Sequence, residues 1–182
     1  MMRIAHMNLS QHSVNGDRLR ASLQHGFTLT EVLVVVSILA ILVAIAMPSF
    51  SDALLSSRLR SYANNLVASV HLARSEAIKR NAVVTLCASS NGTSCSGAWK
   101  NGWVILSTGA GAAVIQTQQA VDVNYKITGT NTTLSFQPTG VGATQDTITI
   151  CRERPSAGSQ ERQVRISATG RPSVTKTSNG SC

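Results

Sequence analysis

The sequence predicts an α+β protein in which a long N-terminal α-helix, one half membrane-spanning and one half amphipathic, packs on a β-rich C-terminal head. Three observations predict it. Residues 32–47 are apolar except for Ser37. Beyond them, apolar residues recur at steps of three and four as far as Ala77. From Ala82 the pattern changes to short β-prone runs punctuated by Gly, Asn and Ser. The chain has 182 residues, 43% hydrophobic but only 4% aromatic, which suits one globular domain plus an apolar segment with a core of Val, Ile, Leu and Ala.

The first element is the stretch GFTLTEVLVVVSILAILVAIAMPSF at 26–50. At about 1.5 Å per residue, 27–47 is long enough to cross a hydrocarbon core about 30 Å thick. Glu31 is anomalous there. A carboxylate at mid-membrane costs about 2.5–3.5 kcal/mol, less toward a helix end, and calls for a cation. A secretory signal, with Arg18 and Arg20 leading and Ala44, Ile45 and Ala46 as its cleavage site, leaves Glu31 unexplained and makes Pro48 the second mature residue. An ordinary membrane anchor explains Glu31 no better. Cleavage after Gly26 makes Phe27 the N-terminus, and its amine supplies the missing charge.

GFTLTEV resembles the type III signal of type IV pilins and type II secretion pseudopilins: Gly before the cut, an aromatic first residue, a carboxylate at the fifth mature position. Pro48 matches the proline common in pilin helices. The resemblance implies a leader at 1–26, cleavage between Gly26 and Phe27 by prepilin peptidase, N-methylation of Phe27, a Phe27–Glu31 charge pairing in assembly, a helix bend at Pro48, and the pilin fold. Loss of 1–26 removes three arginines and one aspartate, so the formal charge falls from +8 to +6.

The next elements are readable from period and punctuation. Leu55, Leu59, Tyr62, Leu66, Val70, Ala73 and Ala77 form one stripe, with Arg58, Asn65, Arg74, Glu76 and Lys79 largely off it. Lys79 and Arg80 suit a helix C-terminus, and Asn81 a left-handed cap. The helix of residues 27–80 divides into a transmembrane half, 27–49, and an amphipathic half, 50–81; the head is 82–182. Its candidate strands are AVVTLCA, GWVILS, AAVIQTQ, TLSFQ, TITIC and QVRIS. Trp99 and Trp103 are expected to pack beneath its loops.

All four cysteines, Cys87, Cys95, Cys151 and Cys182, follow the apolar segment. An even number suits an oxidising periplasm and orients the chain, which the flanking arginines (Arg18 and Arg20 against Arg58 and Arg60) do not. Three connectivities are possible. Cys87–Cys95, closing a Gly/Ser loop, and Cys151–Cys182, pinning the C-terminus, are favoured, each worth about 2–4 kcal/mol. The cysteine spacing is not of zinc-ribbon type, and His71 is the one histidine after the leader, so no metal site is expected. There is no nucleotide loop, no GxSxG and no cofactor motif; the chain reads as a substrate of enzymes, with no catalytic residues of its own.

LARSEAIKRNAVVTLC, WKNGWVIL, FQPTGVG and VRISATGRPSV, within 72–174, resemble the soluble domain of FimT/FimU-type minor pilins and of type II secretion pseudopilin H (GspH). This implies a low-abundance subunit at a filament tip or initiation complex, partnered by other minor and major pilins or pseudopilins and anchored in the bacterial inner membrane with its head in the periplasm. The pilus role is the first reading and the secretion pseudopilin the alternative. Six of thirteen mature basic residues fall in 147–182: Arg152, Arg154, Arg162, Arg165, Arg171 and Lys176. They either keep an exposed head soluble or form a strip for non-sequence-specific binding of DNA. FimT-type pilins are implicated in DNA capture for natural transformation through a Gly-Arg-x-Arg type motif; here GRPS retains Gly170 and Arg171, with Ser173 in place of the second arginine.

Overall fold

The computed structural model describes residues 26–109, 113–140, 144–155 and 157–180, and the chain divides between Leu42 and Val43 into two units. One helix, α1 (Leu29–Arg80), contributes to both. In the first unit, Thr28 sets where the helix begins. Its Oγ1 accepts the Glu31 N–H at 3.2 Å and its carbonyl accepts the Val32 N–H at 3.2 Å, leaving Thr28 as the N-cap and Glu31 in the first turn. The helix therefore starts two residues after the expected Phe27, which lies ahead of the cap. Ser37, the polar residue of the apolar run, donates to the Leu33 carbonyl at 2.8 Å, so its hydroxyl is satisfied within the helix.

In the second unit the helix stripe becomes a buried face. Leu55, Leu59, Ala63, Leu66, Val70, Ala73 and Ala77 are buried, while Tyr62 is half-buried and meets Tyr125 edge to face at 5.2 Å. At the far end Asn81 adopts φ 49°, and the Ala82 N–H reaches back to the Ala77 carbonyl at 3.3 Å, the left-handed stop that the sequence predicts.

Among the described residues the head has eight strands: β1 (Val84–Ala88), β2 (Trp103–Ser107), β3 (Val114–Gln118), β4 (Tyr125–Thr128), β5 (Thr133–Phe136), β6 (Asp146–Arg152), β7 (Glu161–Ile166) and β8 (Pro172–Thr177). They pair antiparallel in two sheets, ordered β3-β2-β1-β5 and β4-β6-β7-β8. Two of the eight, β4 and β8, are additional to the six expected, and both are edges of the second sheet.

Polar anchors fix the sheets and the helix to one core. Trp103 Nε1 donates to Ser69 Oγ at 2.9 Å, and Ser69 in turn donates to the Asn65 carbonyl at 2.9 Å. Trp99 Nε1 donates to the Asn131 carbonyl at 2.8 Å. Both indoles are buried, so each N–H has the partner that burial requires. The crossing from β4 to β5 is held by buried Asp146, whose carboxylate accepts from the N–H groups of Thr130 (3.1 Å) and Asn131 (2.8 Å). Gly129 fits because a Cβ there would stand 3.0 Å from that carboxylate.

Candidate assembly and anion-binding sites

The N-terminal candidates sit on a surface that the described residues leave uncovered. Phe27 is 80% exposed, and Glu31 is exposed in the first turn of α1. Phe27, Leu29, Val32, Leu33 and Val36 line an open groove on this unit. A Cβ added to Gly26 would meet nothing within 4 Å, so local packing does not demand a glycine there. Thr28 is the residue that sequence reasoning missed. Its signal is Thr-x-x-Glu at 28–31, a capping-box spacing masked by the apolar run that follows.

In the second unit the apolar surface continues before the head begins. Val43, Ala46, Met47, Phe50 and Leu54 line an open apolar groove on α1, and helical assignment runs through residue 48 without a break.

The six basic residues of the C-terminal region do not come together. Register places Thr147 opposite Arg165 and Arg165 opposite Ser173, at the end of the second sheet where β7 turns into β8. That turn is closed by the Gly170 N–H donating to Ser167 O (2.8 Å) and the Ser167 N–H donating to Arg171 O (3.1 Å), with Gly170 at φ +68°. Arg165 and Arg171 are exposed there. At the opposite end of the same strands lie Arg152, Arg154, Arg162 and Lys176.

Arg162 is not a surface cation. It is 5% exposed, in a row with Ile127, Ile150 and Lys176. Its guanidinium donates to the Glu161 carbonyl (2.9 Å), Ser56 Oγ (3.0 Å) and Gln160 Oε1 (3.1 Å). Burial, and then the nearby Arg60, push its pKa below the usual arginine range. The period of β7 explains the placement, since Arg162 shares a face with Val164 and Ile166.

A disulfide joins Cys87 on β1 to Cys95 in the following loop, eight residues on. Cys151 is also disulfide-bonded, and Cys182, the partner expected for it, lies outside the described residues. Among the described residues, no group of three or more His, Cys, Asp or Glu could hold a metal ion.

A long N-terminal helix followed by an antiparallel β-sheet head is the pilin fold. A family model described as "Type II transport protein GspH" matches residues 62–170, and the chain belongs to that family. A second model, the prokaryotic N-terminal methylation motif, matches residues 21–47. Among solved structures, the type IV minor pilin FimU of Pseudomonas aeruginosa aligns with TM-score 0.51 at 23% identity, over 64% of this chain and 92% of that one. A second crystal form of FimU gives 0.51 at 21% identity, over 66% and 90%. The minor pseudopilin EpsH from the type 2 secretion system of Vibrio cholerae gives 0.49 at 13% identity, over 68% and 98%. Comparison with curated protein sequences gave no match. The family and the fold neighbours are structural subunits rather than enzymes, and the apolar helix with its methylation motif fits an inner-membrane anchor.

Proposed function

We propose that the chain is a minor pilin of a type IV pilus that primes or caps filament assembly from the inner membrane, with its head in the periplasm. The observation that carries this is the uncovered apolar run: among the described residues nothing packs against residues 32–47, so lipid first, and neighbouring pilins afterwards, would cover them. Prepilin peptidase cuts after Gly26, where a Cβ would meet nothing within 4 Å. The released Phe27 amine, N-methylated, and the Glu31 carboxylate are opposite charges in a low dielectric, where attraction is far stronger than in water. Because Phe27 precedes the Thr28 cap, the amine is not bound into the helix ladder and can reach the Glu31 of the next subunit. Axial register follows, and Pro48 loosens the ladder between the lipid half, 27–49, and the half beneath the head. Glu31→Ala should still be cleaved and membrane-inserted yet fail to support assembly. Normal pilus number in that variant would falsify the charge pairing.

A second reading, a minor pseudopilin H of a type II secretion system, is favoured by the family model's own description. Deletion separates the two: lost twitching marks the pilus, exoenzymes stranded in the periplasm mark secretion. DNA capture for transformation is a finer part of the first reading. It falls to Arg165 and Arg171, the exposed pair at the β7–β8 turn, and not to buried Arg162. With about two phosphates neutralised, log affinity should fall with log salt at a slope of about −2. Full-length protein in detergent should shift duplex DNA at low salt, and Arg165→Ala with Arg171→Ala should abolish the shift; a shift unchanged by the double substitution removes DNA from the proposal.

A further inference from the structure

Asparagine followed by glycine is the pairing most prone to lose its side-chain amide, because no Cβ shields the next backbone nitrogen. That nitrogen attacks the asparagine Cγ and expels ammonia, closing a succinimide ring. Water then opens the ring to aspartate or isoaspartate. In sum, asparagine and water give a carboxylate and ammonia, with no other reactant. The step needs a glycine N–H that is free and a side chain able to swing onto it. The sequence holds four such pairs: Asn15-Gly16, Asn91-Gly92, Asn101-Gly102 and Asn179-Gly180. The first lies outside the described residues.

Two of the other three are held. The Gly92 N–H donates to Ser89 Oγ at 2.9 Å, and the Gly92 carbonyl accepts from Thr117 Oγ1 at 2.9 Å. Asn91 Oδ1 accepts from the N–H groups of Thr93 and Ser94, each at 3.0 Å, while its Nδ2 donates to Ser94 Oγ at 2.8 Å. The Cys87–Cys95 disulfide closes this same loop. At the second pair, the Gly102 N–H donates to the Trp99 carbonyl at 3.2 Å and the Gly102 carbonyl accepts from the Ser89 N–H at 3.0 Å. Both sides of that glycine are engaged in the turn that leads into β2.

Asn179-Gly180 differs on each count. It follows the end of β8, and both residues are exposed. Among the described residues neither takes part in a hydrogen bond. A Cβ added to Gly180 would meet nothing within 4 Å, so the space beside its nitrogen is open.

We infer that Asn179 is a site of spontaneous deamidation, the one of these three pairs at which the fold leaves the reaction free. The new carboxylate stands three residues beyond Lys176 and lowers the formal charge of the chain by one unit. The C-terminal region thus loses basic charge as the molecule ages, while the disulfide loop and the approach to β2 keep their neutral amides.

The test holds the full-length chain in detergent for several days in mildly alkaline buffer made with heavy-oxygen water. The heavy oxygen separates carboxylates formed during incubation from those formed later, in digestion. Peptide mass spectrometry reads the labelled fraction at each asparagine. Labelling at Asn179 should run at least about tenfold ahead of Asn91 and Asn101, because a hydrogen-bonded amide reacts only from a locally opened state. Gly180→Ala, which sets a methyl group beside the attacking nitrogen, should remove most of the Asn179 signal. In denaturant with the disulfides reduced, the three rates should converge. Equal labelling of the three in the folded protein, or faster labelling at Asn91 or Asn101, overturns the inference. So does a gap as wide in denaturant as in the folded chain, since that would assign the difference to neighbouring sequence instead of to the fold.

Discussion

One helix carries two kinds of apolar surface. On residues 55–77 the stripe is covered: Leu59, Leu66, Val70 and Ala73 have no exposure at all. On residues 32–47 side chains of the same chemistry stand open, Leu39 at 57% among them. Burial is worth about 25 cal/mol per Å² of apolar surface wherever it is achieved. The first surface has gained that from the two sheets of its own chain; the second is left open by the described residues and would gain it from lipid or another molecule. The difference separates what folds the head from what makes it part of an assembly.

The sharpest way to break that contrast is to cut the same side chain from each surface. Leu59→Ala should destabilise the head by about 2–5 kcal/mol, through lost transfer energy and the cavity left behind. Leu39→Ala should leave head stability within about 0.5 kcal/mol of wild type, because Leu39 is itself an exposed side chain. Denaturant unfolding of the full-length protein in detergent, followed by the fluorescence of buried Trp99 and Trp103, reads both. A comparable loss from Leu39→Ala would mean that the open run is part of the folded core.

A smaller effect sharpens the contrast for polar groups. Ser37 and Ser69 both donate to a carbonyl four residues back, at 2.8 Å and 2.9 Å. Ser69 also accepts from the fully buried Trp103 indole, so Ser69→Ala strands a buried donor and should cost about 1–3 kcal/mol. Ser37→Ala strands no donor, and its effect on the same unfolding curve should be near zero. Equal costs would place the two serines in like environments.

The same contrast explains how much the sequence reveals. The stripe from Leu55 to Ala77 is legible because one covered helix face imposes a period of three and four. β1, β2, β3, β5 and β6 are legible because they are rich in apolar and β-branched residues, and β7 because Val164 and Ile166 alternate with polar neighbours. β4 and β8 are not. Each carries a lysine among few apolar residues, and an edge position is not the reason, since β3 and β5 are edges as well. The apolar run and Glu31 are legible from hydropathy alone, whereas the Thr28 cap is hidden by its apolar surroundings. The basic residues mislead because sequence proximity is not spatial proximity. Along antiparallel β6, β7 and β8 they alternate between faces and ends, so a list that reads as one strip resolves into a pair at the β7–β8 turn, a group at the opposite end of the strands and one buried guanidinium.

The smallest expected effect concerns the water-exposed end of α1. Glu76 accepts from Arg80 Nε at 2.6 Å and lies 3.7 Å from Lys79 Nζ. The hydrogen bond from Arg80 holds its carboxyl below the ordinary value of 4.5, with the charges of Lys79 and Arg80 adding to the effect and partial burial opposing it. A depressed carboxylate stabilises the fold above its unfolded pKa and loses that contribution as pH falls through the folded value. Wild type should therefore be slightly more stable than Glu76→Gln at pH 7, with the gap closing below about pH 4 and shrinking in high salt, as solvent-exposed ion pairs do. A gap that persists at pH 3 would show that Glu76 acts through packing or neutral hydrogen bonding.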